Sequence, residues 1–272
     1  MSINVVIPES LYKTFQSVTR LYTDMIGEGN MTFDEDGISM TGMDQSHVCL
    51  LRTSLPAQML REGGGEYVYS GEDAIVGVPY KVISTILGTF SGAKSIHMGV
   101  DPSKDSMDLR VVTGDGTSRF VVKMMDLEED AMDIPEMEYD VCTDVPFKTL
   151  QKAFGQAESL DASVVNFVRS PDMMRLRYQT DTVDADVVLH TDTHVGSPSE
   201  TSVAATYPKR LLAAGQMSTN VRISFTKDLP IQFMCKYDDS PTSGFTELYV
   251  APRIDDEDDE ATEDDDYQNY RD

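Results

Sequence analysis

The chain has 272 residues, 40% of them hydrophobic, which is enough to bury the core of one large domain or two moderate ones. Its formal net charge of −25 argues against a general nucleic-acid-binding protein, whose binding domain is usually basic. The 3 cysteines, Cys49, Cys142 and Cys235, show no metal-site spacing, and neither a signal peptide nor a membrane-spanning run is apparent, so we expect an intracellular protein in a reducing compartment.

The first half of the chain begins with a strand followed by an amphipathic helix. The strand NVVI precedes SLYKTFQSVTRLYTDMI, in which apolar residues recur at helical spacing and form one face. The segment MTFDEDGISMTG is typical of two strands joined by a tight turn, because Asp-Gly is a hairpin signal. A second helical segment, VPYKVISTILGTF, then leads into further strands.

The second half repeats this order. The strand DVCT precedes the helical segment PFKTLQKAFGQAESL, and the strand–turn–strand segment VVNFVRSPDMMRLRYQ follows. A further helical segment, TYPKRLLAAG, again leads into strands. The repeat is too long for the unit of a solenoid, so it indicates two similar domains within one chain.

We therefore predict an α+β fold with domains at residues 1–122 and 140–254. Residues 123–139 form the connector between them, because the strip KMMDLEEDAMDIPEMEYD has neither a helical nor a strand period. Residues 255–272 are predicted to be a disordered acidic tail, since 10 of the 12 residues from 255 to 266 are acidic and repel one another.

Each of the four predicted helices overlaps a long window that contains no acid. These windows are residues 10–23, 74–100, 145–157 and 201–227, and each contains lysine or arginine. Acids elsewhere would repel a phosphate backbone, whereas the helices would attract it, so the pattern predicts sequence-independent contact with duplex DNA. The alternative is that the exposed faces of helices simply vary in charge. The candidate DNA-facing residues are Lys13, Arg20, Lys81, Lys148, Lys152, Lys209 and Arg210.

Three stretches resemble one family, that of proliferating cell nuclear antigen, the sliding clamp of eukaryotes and archaea. SMTGMDQSHVCLLRTSL resembles the Met-Asp-x-Ser-His-Val loop and strand of the family. KMMDLEEDAMDIPEMEYD resembles its interdomain connecting loop, and LYVAPRIDDED resembles its C-terminal Leu-Ala-Pro-Lys-Ile-Glu segment. The three occur in the family's order and spacing, and they extend over both domains.

The resemblance implies a non-catalytic processivity factor of replication and repair that needs no cofactor or metal. Such clamps are homotrimeric rings with helices lining the pore and sheets outside, and they tether DNA polymerase and other enzymes after a clamp loader places them on DNA. The subunit contact would pair the strand near 116–123 with that near 185–190 of the next subunit. The implied location is the site of replication, in the nucleus or a viral replication compartment.

The resemblance also implies a pocket for partner peptides with the pattern Gln-x-x-aliphatic-x-x-aromatic-aromatic. Methionines suit a pocket that accepts varied aromatic side chains, because they repack readily. Carried over residue by residue, the pocket would contain Met43, His47, Val48, Leu127, Met132, Ile134, Pro230, Tyr249, Ala251, Pro252, Arg253 and Ile254.

Some features depart from the family or allow another interpretation. The lysine that the family modifies with ubiquitin aligns near Arg169, so this regulation is not expected here. His190 and His194 have the spacing of a helical metal pair, but their segment alternates as a strand, which would separate them by more than about 12 Å. The alternative function is a clamp-fold scaffold without a closed ring, such as a checkpoint-type or monomeric processivity subunit.

Overall fold

The structure, a computed structural model, describes residues 3–69, 71–101, 103–127, 137–170, 173–191 and 195–253. Four sequence predictions lie partly or wholly outside these ranges: most of the connector, the acidic tail, the position of His194, and the pocket residues Met132, Ile134 and Ile254.

The first half of the chain contains nine strands and three helices within the described ranges. In chain order they are β1 (Ile3–Pro8), α1 (Glu9–Met25), β2 (Glu28–Phe33), β3 (Gly37–Met43), β4 (Cys49–Pro56), α2 (Ala57–Glu62), β5 (Glu66–Val68), β6 (Ala74–Pro79), α3 (Tyr80–Gly88), β7 (Ser95–Val100), β8 (Ser106–Val112) and β9 (Thr117–Lys123).

The second half contains nine strands and two helices within the described ranges. They are β10 (Val141–Pro146), α4 (Phe147–Ser159), β11 (Val164–Ser170), β12 (Met173–Gln179), β13 (Asp184–Leu189), β14 (Val195–Gly196), β15 (Ser199–Ala204), α5 (Thr206–Ala214), β16 (Asn220–Phe225), β17 (Ile231–Lys236) and β18 (Phe245–Val250).

The strands form three antiparallel sheets. A 5-stranded sheet has the order β5-β1-β7-β8-β9 and belongs to the first half, and a 4-stranded sheet has the order β13-β12-β11-β15 and belongs to the second half. The 9-stranded sheet, which we call the shared sheet, has the order β14-β10-β16-β17-β18-β4-β3-β2-β6. Because β18 pairs with β4, with Tyr249 opposite Leu50, the two halves join through continuous backbone hydrogen bonding.

Within the described ranges, proline marks the passage from strand to helix four times. Strands β1, β4, β6 and β10 each end in proline, and α1, α2, α3 and α4 begin at the next residue. Proline has no N–H to continue a strand ladder, whereas a helix leaves its first N–H groups unbonded in any case. Helix α5 instead carries Pro208 in its first turn, where proline is also tolerated.

Helices α1, α3, α4 and α5 form a row in the order α3, α1, α5, α4, which we call the helical row. Equivalent glutamines join neighbours in each half: Gln16 Nε2 donates to the Leu87 carbonyl at 3.0 Å, and Gln151 Nε2 donates to the Leu212 carbonyl at 3.1 Å. The matching bonds arise from the sequence repeat Lys-Thr-Phe-Gln and Lys-Thr-Leu-Gln. The predicted α+β fold with an internal repeat is therefore confirmed.

The core lies between the helical row and the sheets. All five apolar residues of the α1 face, namely Leu11, Phe15, Val18, Tyr22 and Met25, are buried, as their spacing predicts. Helix α1 packs against β1 and β7, and α4 packs against β10 and β16. Helix α2 was not predicted; it is short and packs against β4 and β5 instead of joining the row.

Candidate functional site

The helical row turns its cations away from the core. Lys13 and Arg20 of α1, Lys81 of α3, and Lys148 and Lys152 of α4 are exposed. In α5, Arg210 is exposed and Lys209 is half-buried. The structure thus brings all seven predicted cations onto four neighbouring helices.

Little negative charge opposes these cations. The acids of the four helices stand only near the helix ends: Glu9 and Asp24 in α1, and Glu158 in α4. Asp24 lies 3.9 Å from Arg20, in a largely exposed pair that contributes little to stability. Among the residues that the structure describes, no acid lies within 4.0 Å of the other six cations. The exposed side of the row is therefore locally positive on a strongly anionic chain.

Two open clefts flank Lys13 on this side. One has a volume of about 380 Å³ and is also lined by Lys94, Ser10, Thr113 and the acid Glu9. The other, about 570 Å³, lies between α1 and residues 214–219 and contains Gln16. Lys94 was missed in the sequence analysis, although it lies in the acid-free window 74–100 and could have been chosen there.

A second cluster lies on the face of the shared sheet opposite its buried core. The register places Met43 of β3 opposite Leu50 of β4, Leu50 opposite Tyr249 of β18, and Tyr249 opposite Gln232 of β17. Neighbouring strands are about 4.8 Å apart, so these four side chains form a row across four strands. Met43 and Tyr249 were predicted members of a peptide pocket. Leu50 was missed, although the alternation in β4 could have indicated it.

The loop of residues 44–48, here called the β3–β4 loop, borders this row. The N–H of Ala251 donates to the Val48 carbonyl at 2.8 Å, so Val48 and Ala251 are neighbours. His47 is exposed and has a φ of 58°, a left-handed conformation that is uncommon outside glycine. Five predicted pocket residues, Met43, His47, Val48, Tyr249 and Ala251, therefore lie on adjacent segments.

Of the other predicted pocket residues that the structure describes, three lie in segments next to β17 or β18, and Leu127 lies at a different strand. Pro230 immediately precedes β17, and its carbonyl accepts a 3.1 Å hydrogen bond from the Tyr139 hydroxyl. Pro252 is half-buried and Arg253 is exposed directly after Ala251. Leu127 lies against Gly77 of β6, next to the bridge between Met125 and Gly77. Strand β6 is four strands from β18, or about 19 Å at the usual strand spacing, so Leu127 does not join Tyr249.

Comparisons with known proteins show which family the chain resembles. Residues 10–133 match the family model described as proliferating cell nuclear antigen, N-terminal domain. The chain is similar to a probable DNA polymerase sliding clamp 2 of Paramecium bursaria Chlorella virus 1, with 24% identity over 91% of this chain and 90% of the relative. It is also similar to proliferating cell nuclear antigen of Chaetomium thermophilum, with 22% identity over 86% of this chain and 92% of the relative.

Among solved structures, proliferating cell nuclear antigen from Entamoeba histolytica has the same fold, with a TM-score of 0.82, 16% identity, and coverage of 93% of this chain and 99% of that chain. The first half of the chain therefore matches the proliferating cell nuclear antigen family, and the two named relatives are similar to the chain over most of its length. Members of this family are non-catalytic processivity factors, as the sequence analysis expected.

Two members of the row, Gln232 and Tyr249, also belong to a buried polar cluster with Glu247. Glu247 is 5% exposed and Tyr249 is 9% exposed. The Tyr249 hydroxyl donates to Glu247 Oε2 at 3.1 Å, and Gln232 Nε2 donates to Glu247 Oε1 at 3.2 Å and to the Tyr249 oxygen at 3.0 Å. Arg52 Nη1 lies 3.9 Å from Glu247. The cluster fixes the Tyr249 ring, and sequence reasoning missed it because cross-strand register decides which polar residues meet.

The ionisation of this cluster reflects its burial. Burial raises the pKa of the Glu247 carboxyl, and the Tyr249 hydroxyl and Arg52 only partly offset the effect. Burial and the nearby Glu247 charge raise the pKa of Tyr249 to about 12, so its hydroxyl stays protonated at neutral pH and remains a hydrogen-bond donor.

Strands β9 and β13 each lie at the edge of a sheet and carry an exposed valine, as edge strand β5 also does with Val68. Strand β9 ends the 5-stranded sheet and β13 ends the 4-stranded sheet. Val121 of β9 is 60% exposed and Val188 of β13 is 44% exposed. Strand β9 also carries Arg119 and Lys123, whereas β13 carries Asp184 and Asp186. Arg119 pairs with Asp108 of β8, and Asp186 pairs with Arg175 and Arg177 of β12. Lys123 and Asp184 supply the remaining charges of the two edges, which are opposite in sign. These are the segments that the resemblance assigns to the subunit contact.

Two other kinds of site were sought among the described residues. Within the described ranges, no three His, Cys, Asp or Glu side chains come together as metal ligands. Across the same ranges, the structure contains no helix long and apolar enough to span a membrane.

Proposed function

We propose that the chain is a DNA sliding clamp that closes as a homotrimer around duplex DNA and tethers DNA polymerase and other replication and repair proteins. A clamp loader places it on DNA, and it acts where DNA is replicated. The observation that carries the proposal is the helical row, whose exposed side bears seven cations and only peripheral acids on a chain of net charge −25.

The helical row suits contact with phosphates and not with bases. Lysine and arginine side chains on an open face attract the regularly spaced phosphates of a duplex without reading base edges. Weak, sequence-independent contact lets a protein slide, and the acids over the rest of the chain keep DNA away from other surfaces. So few cations would not hold the protein on DNA for long. Enclosure of the duplex by the ring would instead give the long residence time.

The edges formed by β9 and β13 support assembly of the ring. Strand β9 of one subunit would add to β13 of the next, so that backbone N–H and carbonyl groups left unpaired in a single chain become bonded. Val121 and Val188 would be covered, and the opposite charges of the edges would set the pairing. Such a head-to-tail contact uses two different surfaces, and it closes as a ring when the rotation between subunits is one third of a turn.

The row of Met43, Leu50 and Tyr249 supports the tethering role. It offers adaptable apolar contact beside the β3–β4 loop and the segment that follows β18. A partner peptide with an aliphatic residue and two aromatic residues would bury these side chains against the row. Met132, Ile134 and Ile254 complete the proposed pocket from the family resemblance.

Retention of the protein on a linear duplex whose ends can be blocked tests whether the protein forms a ring. A linear duplex biotinylated at both ends is mixed with the protein, and streptavidin is added before mixing, after mixing or not at all. The complexes are then washed at about 1 M salt, where charges are screened beyond roughly 3 Å. A ring threads over free ends and is retained only when streptavidin is added after mixing.

Equal retention in the three arms would contradict the ring. It would favour the alternative, a clamp-fold scaffold that contacts DNA or partners from one side.

A further inference from the structure

A tyrosine of the helical row reaches across the domain boundary to the β3–β4 loop. Tyr207 lies in the first turn of α5, next to the cations Lys209 and Arg210. Its hydroxyl donates to Asp44 Oδ2 at 2.8 Å and lies 3.0 Å from Ser46 Oγ. The contact therefore joins an element of the DNA-facing side to a loop on the peptide side.

Asp44 organises the β3–β4 loop. It is 8% exposed, and its Oδ1 accepts the N–H groups of Val48 at 2.9 Å and Cys49 at 2.7 Å. Its carbonyl accepts the N–H of His47 at 3.0 Å. Burial opposes ionisation, but the hydrogen bonds from Ser46, Cys49, Tyr207 and Val48 outweigh it and lower the pKa of Asp44. The loop is thus built around a carboxylate that stays charged at neutral pH.

We propose that Tyr207 is a positioning residue for the partner-peptide pocket: through Asp44 it holds the β3–β4 loop so that His47 and Val48 stay beside Met43 and Ala251. The proposal rests on the pocket described under the proposed function. Tyr207 is not itself part of the pocket row, and it acts from the opposite domain through one hydroxyl.

Loss of that hydroxyl would act on the loop more than on the fold. Asp44 would keep its backbone donors, but the β3–β4 loop would lose its side-chain tether to α5. His47, already in an uncommon backbone conformation, would then sample others, because strained conformations persist only where their surroundings fix them. A peptide binds the competent fraction of loop conformations, so its apparent affinity falls with that fraction.

Titration with a synthetic peptide tests the proposal. The peptide carries the Gln-x-x-aliphatic-x-x-aromatic-aromatic pattern and a fluorescent label, and binding is followed by anisotropy. Tyr207→Phe keeps the ring and removes the hydroxyl, so we expect affinity to fall about threefold to tenfold, the loss of one hydrogen bond. Tyr80→Phe is the matched control, since it removes a 3.0 Å bond to the Asn30 carbonyl away from the loop, and it should bind like the parent.

A double-mutant cycle separates positioning from a general structural effect. If Tyr207 acts through Asp44, the variant with both Tyr207→Phe and Asp44→Asn binds no more weakly than Asp44→Asn alone. The His47 ring resonances should shift in Tyr207→Phe and stay unchanged in Tyr80→Phe. Parent-like affinity of Tyr207→Phe, or full additivity in the cycle, would overturn the proposal.

The two proposals fail in different ways. If the parent does not bind the peptide, the pocket itself is overturned, and the His47 resonances still decide whether Tyr207 holds the loop. If the parent binds and Tyr207→Phe binds equally well, only the positioning role is overturned.

Discussion

Tyr249 and Glu247 stand two residues apart on one face of β18, so strand alternation points both side chains to the same side of the shared sheet. The Tyr249 ring lies next to Leu50, with Met43 one strand further across the sheet, while the Tyr249 hydroxyl is held by Glu247. An aromatic ring whose polar end is already satisfied is suited to bury apolar peptide side chains. At the scale of single residues, we therefore expect Tyr249 to contribute most among the described pocket residues.

Removal of the Tyr249 side chain tests this expectation. Tyr249→Ala should weaken binding of the labelled peptide by at least about tenfold, because large aromatic anchors at the centre of an interface typically cost about 2 kcal/mol or more when truncated. Tyr69→Ala is the control, since Tyr69 is half-buried in the first half of the chain and bonds to Asp73. Equal affinity of Tyr249→Ala and Tyr69→Ala for the peptide would exclude the pocket assignment.

The raised pKa of Glu247 predicts a pH dependence of stability. A carboxyl whose pKa is higher in the folded state binds its proton more tightly there, so its contribution is present below the unfolded value and is lost as pH rises through the folded value. Glu247→Gln cannot titrate. The difference in melting temperature, variant minus parent, should therefore increase between about pH 4 and pH 7.

Thermal unfolding in a pH series measures this difference. Asp73→Asn is a control for removal of a carboxyl outside the cluster, on the opposite half of the chain. A variant-minus-parent difference that stays flat or decreases with pH would contradict the origin that we assign to the Glu247 shift.

At the scale of elements, the helical row is the part that the sequence predicts best. Its helices were recognisable from apolar periodicity and from the absence of acids, both of which are local properties. Helix α2 escaped prediction because six residues hold too little periodicity to recognise. Leu50 and Gln232 were missed for another reason, since their place beside Tyr249 depends on the pairing of β4 and β17 with β18. Strand β18 lies about 200 residues after β4 in the chain, so long-range contacts set this pairing. The same limit explains why the position of Leu127 was not predicted. Resemblance to a connecting loop does not show that the first residues of the connector follow the edge of β6.

Charge reversal in the helical row tests its contact with DNA. Lys13→Glu and Lys81→Glu, made separately, should weaken duplex binding and reduce its salt dependence, with the slope of log affinity against log salt falling by about one for each phosphate interaction that the substitution removes. Lys236→Glu is the matched control, because Lys236 is exposed on β17, on the sheet face that carries Gln232. If the control lowers the slope as much as the row variants do, general repulsion and not the helical row governs binding.

At the scale of the whole molecule, the proposed subunit contact joins two edges, β9 and β13, that lie in different sheets. Val188→Glu places an acid on the already acidic edge β13 and should lower the assembled fraction, because a buried unpaired charge in an interface is strongly unfavourable. Val82→Glu is the control, since Val82 is 45% exposed on α3 and Val188 is 44% exposed on β13. The assembled fraction is read from sedimentation over a concentration series. A fraction that Val188→Glu leaves unchanged would rule out β13 as the contact.

The central claim, a closed ring around duplex DNA, depends on how many chains assemble in solution. The most direct measurement is the mass of the parent protein at micromolar concentration by sedimentation equilibrium. We predict three times the chain mass of 30.2 kDa. A mass of 30.2 kDa that does not change with concentration would contradict the ring.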